Sequence, residues 1–216
     1  MFIDISGAGI VVALVSLVLS VSAHEAMHGY MAHWLGDSTA QDAGRLTMNP
    51  LKHIDLYTSA LLPMVTLVLF HSPFMVAKPV PFNPARLKFD EFGAALVGFA
   101  GPLTNLVLAT VASIYLRLSI NSLTITTARY IGIFIGINIA VFIINMIPIP
   151  PLDGSRVLYA FAPNPLRKVM EQIEAFGFAS IMVIFILILF LLGSVLISVE
   201  TSLGHLLLGY LYPYVL

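Results

Sequence analysis

The sequence contains no cysteine, and only 10% of its 216 residues are charged. Without cysteine the chain has neither a disulfide nor a thiolate metal site, so a metal would need His, Asp, Glu or backbone oxygen as ligands. Soluble domains carry about 25% charged residues, whereas this chain is 59% hydrophobic and has a mean hydropathy of +0.97. The scarcity of charge predicts a chain embedded in a lipid bilayer, where each polar residue needs an explanation.

Basic residues are also missing where a secretory signal would need them. Residues 1–6 contain Asp4 but no Lys or Arg, so we expect the first apolar run to stay in the protein as a membrane helix. The formal net charge is −1, which gives no indication of a nucleic-acid partner.

Five apolar segments approach the roughly 20 residues that a helix needs to cross a bilayer. They lie at about 7–32, 56–71, 92–116, 129–147 and 177–198, and Gly101-Pro102 interrupts the third. The apolar tail 203–216 is either a short sixth helix or an interfacial one. The sequence predicts an all-α polytopic membrane protein of five to six transmembrane helices. Since no long hydrophilic insert is present, we expect one domain over 1–216, with a core at 7–160 and C-terminal helices at 177–216.

One connection has an unusual pattern of prolines. Residues 77–84 read Ala-Lys-Pro-Val-Pro-Phe-Asn-Pro. Alternating prolines prevent a helix and favour an extended backbone. The pattern predicts a strand-like segment here, which either dips toward a functional site or forms a plain interfacial loop.

The first apolar run ends in His24-Glu25-Ala26-Met27-His28. Ionisable groups at membrane depth are costly, so they are candidates for function. Residues four apart on a helix are separated by about 40° around its axis, so His24 and His28 lie on one face. Two such imidazoles can hold one zinc ion, and Glu25 between them can serve as a general base. The alternative is two packed histidines at a chance spacing.

A catalytic zinc usually takes three protein ligands, so a third must come from elsewhere. His33 is nine residues after His24, which places it about 180° around the helix and facing away. Asp153 is the better candidate, because it follows three prolines that end the fourth apolar segment and precedes Gly154. Taken alone, the position of Asp153 favours a cap for the helix that follows it over a metal ligand.

Two motifs together resemble the site-2 protease family of intramembrane zinc metalloproteases. The family pairs HExxH in one membrane helix with Asn-x-x-Pro-x-Pro-x-Leu-Asp-Gly in a later one, which here are residues 24–28 and 145–154. Further stretches are similar to its compact bacterial and archaeal members: 44–55, 77–81 and 100–105. The resemblance covers roughly residues 10–160.

The resemblance implies an enzyme that hydrolyses a peptide bond within or next to a transmembrane segment of a membrane-protein substrate. It implies one zinc per chain bound by His24, His28 and Asp153, with Glu25 as the general base. It also implies an integral, multi-pass protein of a prokaryotic cell membrane.

Two asparagines in the apolar segments are candidates for stabilising the oxyanion or positioning the substrate. Asn105 follows the Gly101-Pro102 break, and Asn145 begins the second motif. Their alternative role is hydrogen bonding between helices. The resemblance favours a place near the site for both.

Several alternatives stay open at this stage. The metal could be cobalt or iron, because ligand type alone does not settle it. A non-catalytic metal-bearing scaffold would not need Glu25, and a metal or proton transporter should show repeated halves, which are not evident. Gly132 and Gly136 form a GxxxG pattern, which lets another helix approach closely, either in the same bundle or in a homo-oligomer.

Overall fold

The computed structural model describes residues 7–53, 78–176 and 178–215. Within these residues six helices have at least eight residues, and we number them α1 to α6. They are Gly7–Trp34 (α1), Asp90–Ser119 (α2), Ile125–Asn145 (α3), Gly154–Phe161 (α4), Asn164–Ala175 (α5) and Phe178–Leu208 (α6). The described part of the chain contains no strand, so the prediction of an all-α protein is confirmed.

Four segments of the described residues are long and apolar enough to cross a membrane. They are Gly7–Trp34, Asp90–Ser122, Ile125–Asn145 and Phe190–Val215. Three of them coincide with the predicted first, third and fourth spans, so the protein is an integral membrane protein. The predicted second span at about 56–71 lies outside the described residues.

The interruption that we predicted at Gly101-Pro102 is wrong, because α2 continues through Pro102. A proline inside a helix removes the N–H that would bond the carbonyl four residues earlier, here that of Gly98. Membrane helices tolerate this loss where neighbouring elements pack against the freed backbone. Gly98 is such a place, since a Cβ there would meet the side chain of Arg156, 3.0 Å from its Cγ.

The predicted boundary between the fifth span and the C-terminal tail is also wrong. Helix α6 runs through this region to Leu208. The polar residues between the two predicted segments are compatible with a helix, and the Ser202 hydroxyl donates a hydrogen bond to the carbonyl of Ser198 at 2.8 Å. The chain turns at Gly209, whose φ of +59° is the left-handed conformation common just after a helix. Beyond it lie a 3-10 turn, Gly209–Leu211, and one helical turn, Tyr212–Val215.

Helix α2 is the centre of the bundle and contacts α1, α3 and α4. Leu116 of α2, Ile139 of α3 and Leu208 of α6 are completely buried in one apolar cluster. The first glycine of the GxxxG pattern, Gly132, lies directly against the backbone of Val215, where a Cβ would clash. This glycine therefore allows close packing within the chain.

The described part of the predicted extended segment, residues 78–83, has neither helix nor strand pairing and leads into a 3-10 turn, Pro84–Arg86. Asn83 at its end is extended, with φ −113° and ψ 106°. The N–H of Lys78 donates to the carbonyl of His53 at 3.0 Å. The N–H of Asn83 donates to Oδ2 of Asp37 at 2.6 Å. The segment is thus held at both ends.

Asp37 lies just past the end of α1 and is completely buried. Its Oδ1 accepts hydrogen bonds from the N–H and the hydroxyl of Thr39, while Oδ2 accepts from Asn83. Burial by itself raises the pKa of Asp37, but these hydrogen bonds and the charge of Arg86 outweigh it and lower the pKa from 3.8. The ionised carboxylate therefore ties the extended segment to the end of α1.

Candidate metal centre

His24 and His28 lie on one face of α1, as their spacing predicted. Their side chains point into the bundle, and the residues are only 4% and 8% exposed. The two Nε2 atoms are 3.0 Å apart, and the rings meet edge to face. One helix thus brings two imidazole nitrogens to a single point.

Asp153 reaches the same point from the N-terminal end of α4. Its Oδ2 is 2.9 Å from Nε2 of His24 and 3.4 Å from Nε2 of His28. Asp153 occupies the N-cap position of α4, yet its side chain makes no capping hydrogen bond. The side chain of Asp153 therefore faces the two histidines and does not cap α4.

The remaining ring nitrogens have partners that can only accept. His24 Nδ1 is 2.6 Å from Oδ1 of Asn105, and His28 Nδ1 is 2.7 Å from the carbonyl oxygen of Val97. Both histidines must therefore donate through Nδ1, which leaves a lone pair on each Nε2 of the neutral rings. Metal-binding histidines are commonly held in this way by their second nitrogen.

Three electron-pair donors thus face one another with no hydrogen between them when the rings are neutral. A cation at the centre would satisfy all three donors at once. Ligand atoms about 2.0 Å from a tetrahedral zinc are about 3.3 Å apart, and the separations here are 2.9 to 3.4 Å. Among the described residues, His24, His28 and Asp153 are the only group placed to hold a metal ion. Their chemistry and spacing fit zinc.

Two glycines make this convergence sterically possible. A Cβ on Gly101 would lie 2.7 Å from His24 Nε2 and 2.6 Å from His28 Cε1. A Cβ on Gly154 would lie 2.7 Å from the carbonyl oxygen of Ile147. Gly101 therefore gives the histidines room against α2, and Gly154 lets the chain fold back tightly beside Asp153.

Asn105 is buried at the centre of a polar network. Besides meeting His24, its Nδ2 donates to the carbonyl of Ser20 at 3.2 Å and to Oδ1 of Asn138 at 2.9 Å. Asn138 in turn donates to the carbonyl of Phe134 at 2.8 Å. Sequence reasoning missed Asn138, although an isolated amide in the apolar α3 is the same signal that singled out Asn105.

Glu25 lies beside the ligand group but is not part of it. Its Oε2 accepts a hydrogen bond of 2.9 Å from the N–H of Val80, in the extended segment. This contact places the extended segment at the candidate site, which was one of the two interpretations of its proline pattern. A plain interfacial loop would not reach Glu25.

Two further residues considered in the sequence analysis, Asn145 and His33, make no hydrogen bond to the ligand group within the described residues. Asn145 is the last residue of α3, and its Nδ2 donates to the carbonyl of Val141 at 3.0 Å. His33 is exposed, as its position on the helix predicted.

Apolar helices long enough to cross a membrane, together with a largely buried His/His/Asp cluster, define a membrane protein with a candidate metal centre. Comparison with known proteins gives the class. The model of Peptidase family M50 matches residues 114–189. "Putative zinc metalloprotease YwhC" of Bacillus subtilis is 33% identical over 180 residues, which cover 80% of this chain and 79% of that protein. "Putative zinc metalloprotease Rip2" of Mycolicibacterium smegmatis is 28% identical over 184 residues, covering 82% of this chain and 67% of that protein.

A shorter match is found in an archaeon. "Putative zinc metalloprotease MJ0611" of Methanocaldococcus jannaschii is 34% identical over 104 residues, covering 47% of this chain and 51% of that protein. No solved structure matches the chain significantly. The identity and coverage of the first relative show that the chain belongs to peptidase family M50.

Family membership confirms the resemblance to the site-2 proteases. It also confirms the prediction of an enzyme, a zinc metalloprotease, with zinc as its cofactor. The roles of the individual site residues stay predictions.

Proposed function

We propose that this metalloprotease cleaves a peptide bond within or next to a transmembrane segment of a membrane-protein substrate, as in regulated intramembrane proteolysis. The position of the site along α1 carries the proposal. His24 is ten residues from the helix end at Trp34, which is about 15 Å along the axis at 1.5 Å per residue, so the site lies well inside the bilayer if α1 crosses it with Trp34 near one surface. The hydrocarbon core of a bilayer is about 30 Å thick. A site at that depth is reached by a peptide that is itself in the membrane.

In this proposal His24, His28 and Asp153 hold the zinc. Zinc supplies Lewis-acid chemistry when bound, because it polarises a carbonyl and lowers the pKa of water to about 7. The chain supplies the rigid arrangement: Asn105 fixes His24 and the Val97 carbonyl fixes His28, so both Nε2 lone pairs point to one place. Asp153 adds the negative charge that suits a divalent cation.

Glu25 is the general base in this proposal. Its Oε2 is occupied by Val80, whereas Oε1 makes no hydrogen bond within the described residues. Oε1 can therefore take the proton of the attacking water and pass it to the leaving amine. Loss of a general base typically costs 10²- to 10⁴-fold in rate.

The two asparagines have different roles in this proposal. All groups of the Asn105 side chain are engaged by His24, Ser20 and Asn138, so Asn105 positions a ligand. One N–H of Asn145 is used by Val141 of its own helix, which leaves the other for an oxyanion or a substrate carbonyl.

We also infer the setting of the reaction. Helical backbone hydrogen bonds shield a scissile bond, so a substrate helix must unwind locally before Glu25 can act. The relatives come from two bacteria and an archaeon, which supports a prokaryotic cell membrane as the location.

Metal analysis is the first test. Purified wild type should contain about one zinc per chain, and His24→Ala and Asp153→Ala should lose it or bind it much more weakly. Full zinc occupancy in Asp153→Ala would contradict the three-ligand site.

Cleavage is the second test. Dye-quenched single-span peptides of about 20 apolar residues, with or without a central Gly-Pro, are reconstituted in liposomes with the enzyme. We expect cleavage of the Gly-Pro peptide, slower cleavage of the uninterrupted one, and none of either by Glu25→Gln, although that variant keeps its zinc. Cleavage by Glu25→Gln at the wild-type rate would refute the role of Glu25. Metal flux without cleavage would instead favour a transporter.

A further inference from the structure

The backbone N–H of Val80, which donates to Glu25, is flanked on both sides by residues that have no N–H. Val80 lies between Pro79 and Pro81, and proline has no backbone N–H. The three residues therefore offer one amide hydrogen between them, and it is donated to Oε2 of Glu25 at 2.9 Å. A hydrogen bond to a carboxylate is shorter and stronger than one between neutral groups.

The segment that carries this amide is fixed on both sides of it. Lys78 is bonded to the carbonyl of His53, and Asn83 to the buried carboxylate of Asp37. The side chain of Val80 is also buried and packs against α1, where its Cγ1 is 3.1 Å from the position of a Cβ on Gly29. Three contacts therefore hold the segment around the amide of Val80, and one of them is with α1 itself.

We propose that the main chain of Val80 is a positioning group for Glu25, and that the extended segment stays in place while the enzyme works. The bond to Oε2 fixes the orientation of the carboxylate, while Oε1 makes no hydrogen bond within the described residues. Asp37 acts as the remote anchor of this arrangement. The inference rests on the proposed role of Glu25 as the base.

The contacts favour a positioning group over a latch that must open. A latch would be held by few contacts, whereas residues 78–83 have a buried side chain and three main-chain hydrogen bonds to other parts of the chain. Pre-organised groups at an active site lower the cost of reaching the reactive geometry, and a misplacement of about 1 Å can reduce the rate 10²-fold.

The first experiment compares Val80→Pro with Val80→Ala. Val80→Ala keeps the N–H, whereas Val80→Pro replaces the amide hydrogen with a ring carbon, and proline suits the extended backbone between two other prolines. On the Gly-Pro peptide in liposomes, we expect kcat of Val80→Pro to be about ten- to hundredfold below that of Val80→Ala. KM and zinc content should be alike, since neither variant touches a metal ligand. Equal kcat values would overturn the inference.

A second experiment does not depend on how Val80→Pro folds. The chain has no cysteine, so Gly29→Cys with Val80→Cys introduces a single pair. A Cβ at position 29 would lie 3.1 Å from Cγ1 of Val80, close to where the sulfur of a cysteine at position 80 would lie, so a disulfide can form after small adjustments. The cysteine at position 80 still has its backbone N–H. We expect oxidation to cross-link the pair, as seen by peptide mapping under non-reducing conditions, and the cross-linked enzyme to be as active as its reduced form.

Two outcomes would overturn the inference. Failure of the pair to cross-link would contradict the placement of the segment. Activity that is lost on oxidation and returns on reduction would show that the segment has to move away. If Glu25→Gln is inactive but the Val80 variants behave alike, only this inference fails; if Glu25→Gln is active, the proposed function fails first.

Discussion

Gly101 gives the sharpest prediction, because it lies against both histidines without binding anything itself. A methyl group at this position would be 2.7 Å from His24 Nε2, whereas ordinary contact begins at about 3.4 Å. The shortfall is about 0.7 Å, and the neighbouring atoms are ring atoms at the metal position rather than the ends of flexible chains. Gly101→Ala should therefore push the histidines apart or occupy the space that the zinc needs.

The expected loss can be estimated from other metal sites. Disturbing the groups that orient metal ligands typically costs 10- to 100-fold in affinity, which is about 1.4 to 2.8 kcal/mol. A direct clash should reach at least the upper part of that range. Since bound metal stabilises the folded state, the same free energy should disappear from the zinc-dependent increase in Tm.

The assay is a competition for zinc between purified protein and a chelator of known affinity, together with thermal unfolding with and without zinc. Gly193→Ala is the matched control, because a Cβ there meets nothing within 4 Å. It should bind zinc like wild type and be as stable or slightly more so, since alanine is a better helix former than glycine. Wild-type zinc affinity in Gly101→Ala would refute the described approach of α2 to the histidines.

Three further predictions follow from single contacts. Asn105→Ala should weaken zinc binding 10- to 100-fold in the same chelator assay, whereas Asn145→Ala should leave zinc affinity unchanged and lower kcat; the reverse pattern would contradict their assigned roles. Asp37 has a lowered pKa, so its ionised form stabilises the fold above about pH 3.8 and that contribution is lost as the pH falls below it. Unfolding of zinc-free protein should therefore show a stability difference between wild type and Asp37→Asn that shrinks as the medium is acidified, and a constant difference would rule this out. The pair of Arg167 and Glu91, 3.1 Å apart and partly exposed, should contribute less than about 1 kcal/mol in a double-mutant cycle.

Much of the candidate site could be predicted from the sequence because membrane helices contain few polar residues. His24 and His28 stand out in an apolar run, and the period of the helix alone places them on one face. The same period excluded His33, which is exposed. Asn105 was noticed because an amide at membrane depth needs a partner.

Helix boundaries could be predicted only where a strong signal marks them. The end of α3 is followed by three prolines, and the predicted and observed ends differ by two residues. Pro102 and the polar residues near Glu200 do not end their helices, because a membrane helix tolerates an internal proline where neighbouring elements pack against it, and a serine hydroxyl can bond a carbonyl of its own helix.

The sequence by itself determined that this protein lies in a lipid bilayer, that it is helical, and that His24 and His28 share one face of a helix. These properties depend only on composition and on spacing within one helix. Only the tertiary structure decided the contacts that assemble the site. Asp153 meets His24 from 129 residues away, and the main chain of Val80 meets Glu25 from 55 residues away. Whether Asp153 caps a helix or faces the histidines depends on how α4 packs on α2. Every residue except proline has a backbone N–H, so the sequence does not single out the one of Val80. Gly101 likewise matters because of the rings that lie against it, a fact that exists only once α1 and α2 are packed together.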